Sequence, residues 1–579
     1  MIPLNEPNPH MSHTKIHTNR SPVSRLIAAI TLWFQTSSLT SRLFVGIAIL
    51  FLADALFHSI SSWRDTEILG QQKKRGCPNY FEYSKSIHPP LSEGDQQLSY
   101  MRPEPDCRTF RSKAVENVIK DMKERLADPD MARLFENAFP NTLDTTIWWY
   151  TPHDKRTGYP RTFIATGDIA AEWLRDSANQ LSVYTPLISS DEHLKSLIKG
   201  AVIQQAMYMR NDAYCNAFQP PAEAKIKKVP SSKDTVSPKP DWNQVFECKW
   251  EVDSLASFLD LTNNYIKYSG DITILSDPIW STAFTNLVYI LKTQSIPTKD
   301  EHGRALVAQY TFQRDTMSGT ETLCLGGRGN PIKGGTGLIR SAFRPSDDAC
   351  IFQFFIPGNA YMAAELERIA HYFEIAHLNG PSTTARSIAE GIRKGINDYG
   401  VVEHKKYGKV FAYEVDGFGG TNIMDDANLP SLLSLPDLGF LSVEDPIYQN
   451  TRKMVLESDG NPYFVNGRYY GGIGGPHVGL SYGWPMSMVV QIRTSEDDAE
   501  ILKLLEKVVS TTRGLGLMHE GIEINSPTHK YSRQWFSWGN SEFAKAIIGL
   551  AERKPHLIFK DEYSQIPYRV QDQPWYKGI

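Results

Sequence analysis

Residues 167–184 read GDIAAEWLRDSANQLSVY, and Asp168, Glu172, Trp173, Arg175 and Asp176 fall within nine positions of one another. Carboxylates and a guanidinium can grip sugar hydroxyls, while an indole can cover the apolar face of a pyranose ring. The same stretch also fits a plain surface helix, with Asp168 as its N-cap and Arg175 and Asp176 in solvent. Similar stretches elsewhere in the chain bear on that choice. They are NDAYCNAF at 211–218, FECKWEVDS at 246–254, RPSDD at 344–348, YEVDGF at 413–418 and MDDAN at 424–428. GGIGGPH at 471–477 comes next, followed by Trp484, HEGIE at 519–523 and RQWFSWGN at 533–540. Taken singly, each has a structural explanation: Asp347–Asp348 and Asp425–Asp426 as caps, the glycines as a turn, Trp535 and Trp538 as core. Taken together, loop carboxylates interleaved with Trp, Tyr, His and Asn point to a carbohydrate cleft. Hydrolysing a glycoside needs two carboxyl groups, one to protonate the leaving oxygen and one to activate water or attack the sugar. No HExxH, P-loop, GxGxxG context or Ser-His-Asp order competes with that reading.

These clusters sit in loops, so helices must hold them. Apolar residues recur at helical spacing over 115–126, 194–209, 255–266, 360–373, 385–396 and 501–509. Strand-like alternation is scarce. The segment KIKKVPSSKDTVSPKPD, 225–241, reads as an exposed insertion. No break in hydrophobic patterning divides residues 112–579, which predicts one large, mainly helical domain.

The amino-terminal part differs. Residues 1–42 are polar, Ser/Thr-rich and basic, and read as a disordered cytosolic tail. Residues 43–60, LFVGIAILFLADALFHSI, are about long enough to span a bilayer. Asp54 costs roughly 3 kcal/mol near mid-span, and the Leu, Ile, Val and Phe residues return roughly 0.3–0.6 kcal/mol each, so insertion is marginally favourable. The expectation is a single-pass, type II signal-anchor followed by a stem or an irregular wrap over 61–111, with the body in the lumen of the secretory pathway (Golgi or ER). The alternative is a secreted protein cleaved near Ala53-Asp54-Ala55.

The formal net charge of −4 over 579 residues excludes a strongly basic, nucleic-acid-binding surface. The six cysteines, at 77, 107, 215, 248, 324 and 350, have neither CxxC nor zinc-site spacing. Disulfides are permitted in a secretory compartment. Cys77 with Cys107 and Cys215 with Cys248 are the pairs nearest in sequence, and sequence leaves the pairing open.

The combination TGDIAAEWLRDS, FECKWEVDSL, FRPSDDA, YEVDGFG, DDANLPSLL and MHEGI followed by WFSWGN resembles glycoside hydrolase family 125, exo-acting α-1,6-mannosidases, over about 112–575. The resemblance implies an (α/α)6 barrel, an inverting mechanism on a mannose-containing glycan, and no cofactor or catalytic metal; a monomer is expected. It puts the general acid in the Asp347–Asp348 pair, with Asp347 the choice and Asp348 the alternative or its helper. It puts the general base at Glu520, with Glu523 the near alternative. Contacts to the terminal sugar fall to Trp173, Arg175 and Asp176, joined by Asp168, Arg344, His477 and His519. An acid at Asp347 should have its pKa raised by burial or by Asp348 beside it. One departure is visible: Asp437 follows Pro436, where bacterial members tend to carry an aromatic. Competing readings are another (α/α)6 glycosidase such as an α-glucosidase, a catalytically silent glycan-binding protein, and a calcium-dependent mannosidase using Asp425–Asp426.

Overall fold

The computed structural model describes residues 76–526 and 530–577. The expected tail, the 43–60 span and residues 61–75 lie outside the described residues. Among the described residues, no helix is long and apolar enough to cross a membrane.

Helices of nine or more residues alternate between two layers. They are α1 (Lys113–Arg125), α2 (Pro129–Ala138), α3 (Leu174–Ser182), α4 (Glu192–Asp212), α5 (Val252–Ser269) and α6 (Pro278–Gln294). Then come α7 (Ile356–Ile375), α8 (Asn379–Gly395), α9 (Pro446–Val455), α10 (Pro485–Arg493), α11 (Asp498–Thr511) and α12 (Ser537–Arg553). In the inner layer α3 packs on α5, α5 on α7, α10 on α12, and α12 back on α3. The place between α7 and α10 belongs to residues 431–438, a run of turns rather than a helix. The closed ring is visible at a cavity of about 650 Å³ lined by all six inner elements: Ser182, Asn264, Tyr361, Leu438, Arg493 and Gly549. Outside it, α4 lies against α6, α8 against α7, α11 against α10, and α2 against both α12 and α11. The protein is mainly helical, and this arrangement is compatible with an (α/α)6 barrel.

The residues that start the helices differ between layers. In α2, α4, α6, α9 and α11 the residue before the helix is an aspartate whose carboxylate accepts one or two backbone N–H bonds, and Ser112 does the same for α1. In α2, α6 and α9 that aspartate precedes a proline, whose missing N–H costs nothing in the first turn. The inner helices begin after Trp173, Glu251, Phe355, Trp484 and Phe536, none of which caps with its side chain. The inner helices run parallel. Arg175, Asp176, Asp253 and Trp538 mark their N-terminal end, and the 650 Å³ cavity marks the other.

Short antiparallel ribbons crown the N-terminal end. Glu172–Trp173 pairs with Ala217–Phe218, which pairs with Val245–Glu247. Phe354–Phe355 pairs with Glu414–Val415, and Tyr482–Gly483 with Ile522–Glu523. Both nearest cysteine pairs are disulfides, Cys77–Cys107 and Cys215–Cys248; Cys324 and Cys350 are free thiols.

Residues 76–111 take the wrap form of the two readings given for this stretch and are held to the body. The Tyr80 ring meets Trp535 edge-on at 4.7 Å, and Arg102 bonds Asp144 at 2.7 Å and Glu116 at 2.6 Å. The 225–241 insertion is exposed over much of its length but anchored. Thr235–Ser237 pairs with Thr311–Gln313, and Asp234 takes two 2.8 Å bonds from Arg314.

Candidate active site

Arg175 and Asp176 open α3 at the floor of the crowned end, and both are buried. Arg175 Nη1 donates to Glu251 Oε2 at 2.6 Å and Asp253 Oδ2 at 3.2 Å. Its Nη2 lies 3.5 Å from Asp176 Oδ2 and 3.7 Å from Asp347 Oδ1, and the guanidinium sits 5.4 Å from the Trp538 ring centre. The plain surface-helix reading of 167–184 fails here. The helix starts at Leu174, and Asp168 pairs with Arg533 instead of capping.

Asp347 tips a tight turn. Its N–H donates to the Arg344 carbonyl at 2.9 Å, the Arg344 N–H donates to the Asp348 carbonyl at 2.8 Å, and Phe343 bridges Ala349. At the tip Asp347 has φ of +65°, a left-handed conformation that costs a non-glycine residue about 1 kcal/mol or more. Glu414 secures the turn: it accepts from Arg344 Nε at 2.6 Å and from the backbone N–H groups of Ile351 and Phe352 at 3.1 and 3.2 Å. The turn leaves the Asp347 side chain 24% exposed and the Asp348 side chain 3%. Neither caps a helix, since α7 begins at Ile356.

Burial pushes the Asp347 carboxyl upward, but Lys249, Arg175 and His477 outweigh it and hold the group below the usual carboxylate range. The expected upward shift is therefore absent, because the Lys249 and Arg175 charges, with His477, favour the ionised tip. Burial does raise Asp348, against the pull of His477 at 3.8 Å and with the push of Asp426.

A second cluster surrounds Glu520, on the loop leading into the Ile522–Glu523 strand. Ser532 Oγ donates to its Oε2 at 2.8 Å, and Arg533 Nε lies 3.2 Å from its Oε1. Arg533 also bonds Asp168, whose carboxyl is raised by burial. Asp176 stands between the clusters. Burial lifts its pKa to about 6, Arg175 and Arg533 lower it, and Asp347 raises it. Glu523 accepts from the Asn525 N–H at 3.3 Å, a local turn contact. His519 does not join the cleft. It is buried and stacked on Tyr531, with both ring nitrogens on backbone carbonyls.

Several buried polar atoms lack a hydrogen-bond partner among the described residues: Trp173 Nε1, Asp176 Oδ2, Asp348 Oδ2, Tyr413 Oη, Asp426 Oδ2 and Trp484 Nε1. Leaving such atoms unpaired costs stability, so a concentration of them marks a place built for a polyhydroxylated ligand. Gly475 passes so close to this group that a Cβ would stand 3.0 Å from Asp426 Oδ1. Asp425, by contrast, spends both oxygens on the N–H groups of Leu432 and Leu433, capping the turns at 431–438. That removes it from a ligand set. Asp437, the departure noted above, pairs with Arg493 at the opposite end of the ring.

Asn216, Lys249, Glu251 and Arg533 are site residues that the sequence analysis left unassigned, although the stretches 211–218, 246–254 and 533–540 that hold them stood among its candidates. Asn216 Nδ2 lies 3.4 Å from Asp347 Oδ1, and Asn216 Oδ1 accepts from the Lys249 N–H at 3.0 Å. The Cys215–Cys248 bridge sits directly beside both residues. A signal was present: the alternation Glu247, Lys249, Glu251 puts charges on one face of an extended segment.

Comparison with known proteins agrees with this geometry. The family model described as metal-independent alpha-mannosidase (GH125) matches residues 128–548. The meiotically up-regulated gene 157 protein of Schizosaccharomyces pombe is 51% identical over 489 residues, 84% of this chain and 95% of that protein. A solved structure of a Streptococcus pneumoniae metal-independent alpha mannosidase, in a non-productive substrate complex with alpha-1,6-mannobiose, superposes with a TM-score of 0.68. It is 34% identical, and the match covers 76% of this chain and 98% of that one.

Proposed function

Because the chain belongs to the GH125 family of metal-independent α-mannosidases, which are glycoside hydrolases, we propose that it is an inverting exo-α-1,6-mannosidase on an (α/α)6 barrel. It removes non-reducing-end mannose from a glycan. The observation that carries this reading is the pair of separately supported carboxylates, Asp347 and Glu520, joined through Arg175, Asp176 and Arg533. The α-1,6 linkage rests on the mannobiose bound by the S. pneumoniae relative.

In this mechanism Asp347, the exposed member of its pair, protonates the glycosidic oxygen. Glu520, oriented by Ser532 and Arg533, takes a proton from water as it attacks the anomeric carbon from the opposite face. The buried Asp348 and Asp426, with Trp173 and Trp484, hold the sugar. Raised by burial, Asp348 supports a second reading in which it is the acid. Asp347→Asn should lose roughly 10²–10⁴-fold on an α-1,6-mannobiose and much less on a mannoside with an activated leaving group, which needs little protonation. Glu520→Gln should lose activity on both. Full activity of Asp347→Asn on the mannobiose, with Asp348→Asn dead, would transfer the acid to Asp348. NMR of the first product should show β-mannose; α-mannose first would overturn inversion.

The body is proposed to act as a monomer in the secretory lumen, tethered by residues 43–60. The two disulfides support folding in an oxidising compartment.

A further inference from the structure

Asp347 lies near Lys249, Arg175 and His477, which favour its ionised form. An acid that must deliver a proton needs something beside it that retains one. Glu251 is placed to do this. Its side chain is fully buried at the start of α5. Its Oε2 is occupied, accepting from Arg175 Nη1 at 2.6 Å and Ser254 Oγ at 2.8 Å. Its Oε1 has only a long 3.3 Å contact with Asn216 Nδ2, and the same amide group reaches Asp347 Oδ1 at 3.4 Å. The two carboxyls lie within hydrogen-bonding reach of each other. One oxygen of Glu251 is thus held by cation and hydroxyl, while the other faces the tip carboxylate.

We propose that Glu251 is a positioning residue for the acid, keeping on the Glu251–Asp347 pair the single proton that Asp347 passes to the glycosidic oxygen. The inference rests on Asp347 being that acid. In the free protein the proton sits on Glu251 Oε1 and is donated to Asp347 Oδ1. As a glycoside occupies the cleft, the proton crosses to Asp347 Oδ1 and Glu251 becomes a carboxylate stabilised by Arg175 and Ser254. Rotation about the Asp347 C–O bond turns the hydroxyl to the leaving oxygen, which takes the proton as its bond to the anomeric carbon breaks. The proton released by the attacking water goes to Glu520 and then to solvent, and solvent reprotonates the pair. Atoms and charge balance to the addition of one water across the bond.

The other groups around Glu251 are Asp253, Lys249 and Tyr310, with Glu247 sharing the Asn216 amide at 3.2 Å. Asp253 favours retention of the proton, and Lys249 opposes it. Burial first, then Asp347 and Asp253, raise Glu251 well above the ordinary range against the pull of Arg175.

The test is the pH profile of kcat/KM for three variants on an α-1,6-mannobiose and on an activated aryl mannoside. Glu251→Gln cannot hold a transferable proton and leaves Asp347 among cations. The alkaline limb on the mannobiose should fall by about one pH unit or more, activity should return at lower pH, and the aryl mannoside should be spared. Glu251→Asp should recover part of the limb. An unchanged limb in Glu251→Gln, while Asp347→Asn selectively loses the mannobiose, overturns the proposal and leaves the acid assignment standing. Equal loss on both substrates with no limb shift means a structural role and also overturns it. If Asp347→Asn keeps the mannobiose activity, the acid assignment itself fails. Should Glu251→Gln not fold, infrared titration of the wild-type protein decides. A protonated-carboxyl band that persists at neutral pH and disappears in Asp347→Asn supports the pair, and no such band sinks it.

Discussion

At the scale of single residues, the site stores instability that can be read by titration. Asp176 has a folded pKa of about 6 because burial outweighs Arg175, whereas its ordinary value is 3.8. A raised carboxyl makes the folded state hold the extra proton, so stability falls as pH rises from about 4 to about 6. The shift corresponds to on the order of 3 kcal/mol of penalty at neutral pH. Asp176→Asn should therefore be more stable at pH 7 by about that amount and nearly inactive, as urea unfolding and assay would show. His519 has the opposite sign. Burial lowers its pKa to about 4 from 6.5, so the unfolded chain binds the extra proton and stability is lost as pH falls through that window. The two slopes oppose each other between about pH 4 and 6. Removing Asp176 should expose the His519 slope as a steeper acid-side loss; an unchanged slope would mean one of these groups titrates elsewhere.

At the scale of elements, the outer helices other than α8 carry their own start signals, while the inner ones depend on their surroundings. Asp445 accepts from the N–H groups of Ile447 and Tyr448 at 2.9 Å each, so Asp445→Ala should cost about 1 kcal/mol in urea and leave kcat unchanged. The sequence pattern does not follow this contrast, since helical spacing marks the inner α5 and α7 over 255–266 and 360–373 as well as four outer helices. Helices α1, α8 and α11 show a wet and a dry side, and their periodicity is legible, whereas α4 is buried at every position over 200–209. Helix α12 is buried along most of its first half, at Ser537 to Ala544, so polar and apolar residues lose their period there. The Asp-Pro starts of α2, α6 and α9 were legible signals that the apolar-period reading passed over. Site residues were legible where they cluster locally, as Trp173, Arg175 and Asp176 do. Asn216 and Glu251 meet Asp347 only across a ribbon, a disulfide and a turn, and no local pattern encodes that meeting.

At the scale of the whole molecule, five parallel inner helices direct their N-terminal ends at one mouth. Their partial positive charges favour anions there, in the place that gathers Asp347, Glu520, Asp168 and Asp176. The opposite mouth mixes Lys267, Arg368, Arg493, Lys545 and Arg553 with Asp260, Glu365 and Asp437. The tether is testable at this scale. Full-length protein should pellet with membranes and resist carbonate washing, and protease added to sealed vesicles should trim only the tail. Digestion of the body would reverse the proposed topology.

The Cys77–Cys107 bridge has a mechanical meaning. A pull on the chain before residue 76 reaches the body at Cys77 and divides at the sulfur. Part crosses to Cys107 and on toward Arg108, which hydrogen-bonds Glu116 of α1. The intervening segment, where Tyr80 rests on Trp535 two residues from Arg533, is thereby relieved of load. With the bridge reduced, all the tension would run through Asn79–Tyr83 and tug on the strand of chain that orients Glu520. The bond would act as strain relief on a cable, diverting force on the chain before residue 76 from the segment that holds Glu520.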